Sequence, residues 1–253
     1  MINSIAKNNV EFIGVLGFLG VWELAARVFF NHTNIFPSPT QSLVEAWNFL
    51  TPLDLLEHVS LSLFRISSGF LIATVLGILL GLACSFTLWL SILLRPVIEF
   101  LRPIPPLAWI PIAIIWFGLG EPSKIFVISL GAFFPIFTNV YRGVIMVPKV
   151  LIQAARTMDV NGSRLLWRVV LPAALPDLVT GLRVALGLSF GVLVAAELIA
   201  AERGLGYLIM EARQIGHIGV SIFGILIIGL LTMAVDWQVG RFISLTVGRW
   251  TRI

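Results

Sequence analysis

The sequence predicts an all-α protein that crosses a lipid bilayer several times, and three observations carry that prediction. First, the 253 residues are 58% hydrophobic and 12% charged, with a mean hydropathy of +0.99. A soluble domain carries about 25% charged residues, so this supply cannot cover the surface of a water-soluble globule. An ordinary soluble enzyme is excluded, and so is disorder, which requires low hydrophobicity. Second, apolar runs recur at bilayer-spanning length. Third, no ten-residue alternating segments of a membrane barrel are present. Helices satisfy their own backbone in lipid, and six of about 20 residues use about half the chain. The remainder suffices for short loops, so residues 1–253 form one membrane domain.

The first expected span is 10–30. Lys7 before an apolar run resembles a secretory leader, but Glu23 and Arg27 follow without a small-residue cleavage site, which predicts an uncleaved span. Glu23 and Arg27 are four apart and pair on one helix face. The connection 32–59 contains Phe36-Pro37-Ser38-Pro39-Thr40, an extended stretch followed by a helix start. Leu43, Val44, Trp47 and Leu50 are spaced for an amphipathic helix at the membrane interface, with a plain connector as the alternative. The other spans are 60–82, 92–117, 123–141, 176–200 and 220–242. The third contains Pro103, Pro105, Pro106 and Pro111. Gly14, Gly17, Gly20, Gly77, Gly81, Gly187 and Gly191 have helix-packing spacing. Cys84, the single cysteine, permits no internal disulfide and suits a small buried hydrophobe.

Basic residues set the direction. With the N-terminus inside, the cytoplasmic pieces hold Lys7, Arg95, Arg102, Arg142, Lys149, Arg156, Arg164, Arg168, Arg241, Arg249 and Arg252. The opposite side holds Lys124, Arg203 and Arg213. This bias places both termini in the cytoplasm.

The cytoplasmic loop 142–175 is too long for a turn. Helix formers begin Gln153-Ala154-Ala155-Arg156-Thr157-Met158. Asp159-Val160-Asn161-Gly162-Ser163 reads as a break and a new cap. Arg164 to Leu171 forms a basic amphipathic helix, which Pro172 and Pro176 end before the next span. The segment is a helix–turn–helix lying on the membrane. Its free face serves a cytoplasmic partner or anionic lipid.

This loop resembles the "EAA" loop of bacterial ABC-importer permeases. That pattern is Glu-Ala-Ala, three residues, Gly, nine residues, then Ile-x-Leu-Pro. Here Gln153-Ala154-Ala155, Asp159 and Val169-Val170-Leu171-Pro172 occupy those places, with Gln for Glu and Asp for Gly. Gln keeps length and polarity, and Asp tolerates a left-handed or capping conformation better than most residues. The likeness extends over Arg102-Pro103-Ile104-Pro105-Pro106-Leu107-Ala108-Trp109-Ile110-Pro111 and Ile115-Trp116-Phe117-Gly118-Leu119-Gly120-Glu121. It continues in Thr180-Gly181-Leu182-Arg183, Val194-Ala195-Ala196-Glu197-Leu198 and Gly204-Leu205-Gly206-Tyr207. Together these are similar to permeases of the nitrate, sulfonate, taurine and bicarbonate importer group.

The resemblance implies a type I ABC importer permease (MetI-like) fold with a core of about 60–243, in a bacterial inner membrane. It implies a second permease copy in a homodimer, two ABC ATPase subunits, an external solute-binding protein and membrane lipid as partners, and no nucleic acid. Gln153, Ala154, Ala155, Arg156, Thr157, Met158, Asp159, Val160, Gly162, Leu171 and Pro172 would make or shape the ATPase-coupling contact. The chain has no Gly-x-x-x-x-Gly-Lys-Ser/Thr phosphate loop. ATP and Mg would therefore be used by the partner, leaving this chain a non-catalytic permease without a cofactor. The solute most resembles taurine or a sulfonate, with nitrate, bicarbonate, an aromatic acid or a vitamin precursor as alternatives.

Trp109, Trp116, Phe117, Ser189 and Glu197 are candidates for the solute path. A carboxylate repels an anion, so Glu197 fits a structural or gating group near the outer interface, paired with Arg203 or a backbone donor. Arg65 and Arg183 offer positive charge to an anion path, although Arg183 has the alternative of snorkelling to the surface. His32, His58 and His217 have no metal-ligand spacing, and no nucleophile–base pair is visible. An ion-driven transporter or channel, the alternative class, favours internal repeats and several mid-membrane acids.

Overall fold

The computed structural model describes the backbone of residues 2–29 and 36–246, and the side chains of residues 14, 15, 17–29 and 36–241. His32, Arg249 and Arg252 and the side chain of Lys7 lie outside the described residues. The described residues are predominantly helical, in the order α1 (Ile2–Phe29), α2 (Pro39–Phe49), α3 (Pro52–Phe86), α4 (Leu88–Leu101), α5 (Ile110–Phe117), α6 (Glu121–Ile145), α7 (Lys149–Thr157), α8 (Gly162–Leu165), α9 (Leu171–Ala200), α10 (Leu205–Gln214) and α11 (Ile218–Thr246). Among the described residues four helical segments are long and apolar enough to cross a membrane: Pro52–Phe86, Glu121–Ile145, Gly162–Ala200 and Ile218–Arg241. The pair Leu88–Leu101 and Pro106–Phe117 supplies a fifth as a broken span. The first of the six expected crossings falls on α1, which is not among these segments, so four or five of the six are found among the described residues; within α1 Glu23 and Arg27 pair at 2.6 Å.

The bundle is built on α6. A Cβ on Gly69, Gly77 or Gly81 would fall within 2.8 Å of Ile128, Ile136 or Val140 respectively. That constant register means α3 and α6 run parallel in close contact, as small residues allow in lipid. Helix α9 returns antiparallel, with Gly131 against Val192 and Gly143 against Asp177. Three buried clusters follow α6 from end to end, centred on Val127 and Ile128, on Ala132 and Ile136, and on Phe134 and Phe137. Of the glycines with packing spacing, Gly77 and Gly81 touch another helix. A Cβ added to Gly14, Gly17, Gly20, Gly187 or Gly191 would meet nothing of the described chain within 4 Å. Spacing alone does not tell which face a neighbour occupies.

Two expected elements take another form. The third span is bent by 93°, because the proline-rich segment 102–106 cannot continue the helical hydrogen bonds. In the loop, Pro172 and Pro176 do not end a helix. The chain runs helically from Gly162 to Ala200, and a π-turn at Leu166–Val170 accommodates the donor that Pro172 lacks, as wide turns do inside α-helices. Two further elements flank the bundle. Helix α2 starts where expected, with Ser38 as N-cap in a reciprocal capping box with Gln41, and exposes Leu43, Val44 and Trp47. Helix α10 was not expected, since it is short and sits in a predicted loop.

Candidate functional site

Three places combine polar chemistry with an unusual position: the loop around α7, the bundle end where α3, α6 and α9 meet α10, and a cavity at mid-depth.

The α7 loop projects Gln153, Ala154, Arg156, Thr157, Met158 and Asp159 to the outside, whereas Ala155 is buried. The chain reverses over Met158–Val160, where the amides of Met158 and Val160 both donate to the carbonyl oxygen of Ala155 at 3.1 and 3.0 Å. Asp159 closes this turn with φ 58°, and Gly162 repeats the left-handed geometry with φ 58°. Asp is one of the few non-glycine residues that visit this region, and its Oδ1 accepts from Asn161 Nδ2 at 3.2 Å. Leu171 and Pro172 open α9 beyond the π-turn. Exposed Val150, Met158 and Trp167 surround the polar residues, so the loop offers a mixed apolar and polar face.

At the opposite end of α6 a buried ion cluster ties four helices together. The Arg65 guanidinium makes a bidentate pair with Glu121, Nε to Oε2 at 2.6 Å and Nη2 to Oε1 at 2.7 Å. Its Nη1 donates to Glu197 Oε1 and to the Arg203 carbonyl, both at 2.6 Å. Glu197 also accepts from Ser62 Oγ at 2.8 Å and from the Gly206 amide at 2.8 Å. Lys124 reaches Glu121 at 3.1 Å. The side chains of Arg65 and Glu197 are 2% and 0% exposed, a depth at which an ion pair survives only when every lone pair and proton is matched. Gly204, at φ 127°, threads between them, and a Cβ there would lie 2.5 Å from both Arg65 Nη1 and Glu197 Oε1. The Arg203 side chain pairs with Glu57 instead.

The expected Glu197 partners are thus half met: a backbone donor is present, and the ionic partner is Arg65. Arg65 is consumed by two carboxylates and a carbonyl, so it does not offer free charge to an anion path. Sequence reasoning missed Ser62, Glu121 and Lys124. The available signal was charge at the starts of apolar windows, combined with the Gly204-Leu205-Gly206 run.

The third place is a cavity of about 320 Å³ between α6, α9 and the break after α4. Its polar lining is Arg102, Thr138 and Asn139, and Arg102 is its one charged residue. None of the five expected path residues lines it. Trp109 lies in the 3₁₀ turn Pro106–Trp109 with its indole nitrogen buried and without an acceptor among the described residues. Trp116 and Phe117 stack edgewise and tilted against Phe126, and Ser189 donates to the Ala185 carbonyl at 2.7 Å. Among the described residues no His, Cys, Asp and Glu group could hold a metal ion.

A helical bundle of bilayer-spanning length, with an exposed polar loop at one end and a largely apolar cavity carrying one arginine at mid-depth, is the architecture of a polytopic membrane protein. The comparisons identify the kind. Residues 73–245 match the family of binding-protein-dependent transport system inner membrane components, and the chain belongs to that family. It is 41% identical over 85% of its length to a putative ABC transporter permease of Methanocaldococcus jannaschii, covering 82% of that protein. It is 37% identical to the taurine transport system permease TauC of Escherichia coli, covering 88% of this chain and 84% of that one. It is 35% identical to the bicarbonate transport system permease CmpB of Synechococcus elongatus, covering 94% and 87%. The fold matches a chain of the MetNI methionine ABC transporter in inward-facing form with TM-score 0.64 at 23% identity, covering 79% of this chain and 98% of that one. The chain is therefore a non-catalytic ABC importer permease of the sulfonate, taurine and bicarbonate group, and its family implies ATPase and binding-protein partners.

Proposed function

We propose that this permease carries taurine or a related small sulfonate inward, powered by ATP that two separate ATPase subunits hydrolyse with Mg. The observation that carries the reading is the likeness to the taurine permease over nearly the whole of both chains. The charge of the mid-depth cavity agrees, because its one charged lining residue is an arginine. Bicarbonate is the second reading, supported by the CmpB likeness over 94% of this chain.

Residues 153–160 act as the coupling helix that seats in an ATPase groove on the cytoplasmic side, while Gly162, Leu171 and Pro172 set the angle at which the loop joins α9. The exposed polar side chains of this turn support the role. A second copy of the chain completes the path. Supporting this, Val184, Gly187, Leu188 and Gly191 form an open face of α9, and two of them line the cavity. Both termini lie in the cytoplasm, and an external binding protein delivers the solute to the α10 end. ATP-driven closure of the ATPases moves the docked loop, and the bundle rocks between discrete packings.

Reconstitution with the ATPase and the binding protein tests the reading. Uptake of labelled taurine that requires ATP and the binding protein is expected, at a rate above that of bicarbonate. Taurine uptake into vesicles holding this chain alone, without nucleotide, would falsify it.

A further inference from the structure

The cavity contains a charge that nothing described so far uses. Arg102 follows α4 directly, at the point where the broken span turns by 93°. The preceding Leu101 and Ile98 pack with Phe134 and Phe137 in the middle of α6. Phe134 is about 20 Å along that helix from Glu121 at 1.5 Å per residue, so the break lies at mid-depth rather than at either surface. Arg102 therefore does not belong with the cytoplasmic basic residues among which its sequence position placed it.

Arg102, which is exposed on the open side of the cavity, also differs from the buried cation Arg65. Arg65 has four hydrogen bonds to two carboxylates and a carbonyl, whereas Arg102 has no side-chain hydrogen bond or ion pair among the described residues. An ionisable residue within a membrane bundle faces water, a partner or a transported ion. Here it faces a cavity whose other polar lining is Thr138 and Asn139 of α6. The Thr138 hydroxyl and the Asn139 amide nitrogen donate to the carbonyls of Phe134 and Pro135 at 2.8 Å, which leaves their oxygens turned to acceptor duty. Pro135 has no amide hydrogen, so the Gly131 carbonyl in the same wall lacks its helical donor. The lining thus combines one planar donor fork with several acceptors.

We propose that Arg102 binds the oxyanion of the solute during passage, its guanidinium gripping two oxygens of a sulfonate as such forks grip carboxylate and phosphate. The acceptors from Asn139 and Gly131 suit the ammonium of an amino-sulfonate. This rests on the proposed anion transport and deepens it by locating a binding residue in the permease itself. Selection is then made twice, by the external receptor and at the break of the third span.

The test uses the assembled importer in proteoliposomes with ATPase subunits and loaded binding protein. R102Q should reduce labelled taurine uptake about 10- to 100-fold, the range expected for a lost charge-assisted contact, while binding-protein-stimulated ATP hydrolysis persists. R102K, which keeps the charge without the fork, should recover part of the uptake. Full uptake by R102Q overturns the proposal, and so does an equal loss of hydrolysis and uptake in both variants. A second measurement is independent of transport. V184C, on the exposed wall of the same cavity with Arg102 intact and in a C84A background, should react with 2-sulfonatoethyl methanethiosulfonate, a water-borne sulfonate, and millimolar taurine should slow the reaction. An unreactive or unprotected cysteine overturns the proposal. A wild-type importer that takes up neither taurine nor bicarbonate sinks the solute assignment instead, and the thiol result still decides whether the cavity beside Arg102 is an aqueous anion site.

Discussion

Asp159 shows how much one residue of the loop must do. A side chain at φ 58° costs roughly 1–2 kcal/mol in the left-handed region, less for Asp, whose short polar group bonds locally. D159G should therefore raise the thermal unfolding midpoint of the detergent-solubilised complex slightly and leave uptake per ATP unchanged. D159V, with a branched carbon in the same conformation, should lower the midpoint and weaken coupling. This position was legible in the sequence, because an Asp standing where the loop pattern has Gly points to a backbone need that few residues meet. The ion cluster was not legible. Arg65 and Glu197 are 132 residues apart, and they meet only because α3 and α9 place their ends together, whereas Arg203 is nearer in sequence. E197Q leaves Arg65 buried with half its charge unmatched and should cost about 3–5 kcal/mol. An R65M/E197L double variant should recover much of that loss. Denaturant titration of the two proteins checks the order, and a double variant less stable than E197Q would show that the cluster holds the fold by more than mutual neutralisation.

Element by element, the glycines separate packing from its appearance. A Cβ on Gly77 would sit 2.7 Å from Ile136 Cγ2, while one on Gly187 or Gly191 meets nothing of this chain. G77A should therefore destabilise the chain by roughly 1–3 kcal/mol, as overpacking does, and G187A should leave the stability of the chain unchanged. Comparing their unfolding midpoints in detergent checks this, and equal effects would mean that the α3–α6 contact is looser than its register implies. The spans themselves were readable because apolar length is dictated by the bilayer. The break after Leu101 was only hinted at by four prolines, since a proline kinks one helix and ends another according to what packs beside it. The opposite outcome holds at Pro172, where a π-turn lets the helix continue. Helix α10 was hidden because its burial comes from α11 and the ion cluster rather than from its own short apolar pattern. The proposed coupling contact divides similarly. The pair Ala154-Ala155 was visible, but only the structure shows that Ala155 is turned inward and Ala154 outward. The steric test of docking thus belongs at Ala154. A154E should keep the subunit folded and separate ATP hydrolysis from uptake, and normal uptake by that variant argues against a dock there.

For the whole molecule, composition alone dictated the membrane class, while direction rests on basic residues near span ends. Moving Arg102 to mid-depth removes one cytoplasmic charge but leaves Arg142, Lys149, Arg156, Arg164 and Arg168 on the loop side of the bundle, so the bias survives the correction. The loop and the Gly204 clasp lie at opposite ends of α6, so labelling one end from each side of the membrane fixes the orientation. Single cysteines at the exposed positions Thr157 and Glu202, in a C84A background, serve as reporters. A membrane-impermeant maleimide should reach E202C in right-side-out vesicles and T157C in inside-out vesicles. The docked arrangement adds a condition that orientation alone does not: T157C should be shielded while the ATPase subunits are attached and become reactive once they are stripped by urea. Labelling of T157C at the same rate before and after stripping would leave the orientation intact but remove the ATPase from this loop. The drive for the rocking motion would then have to enter the bundle through another surface.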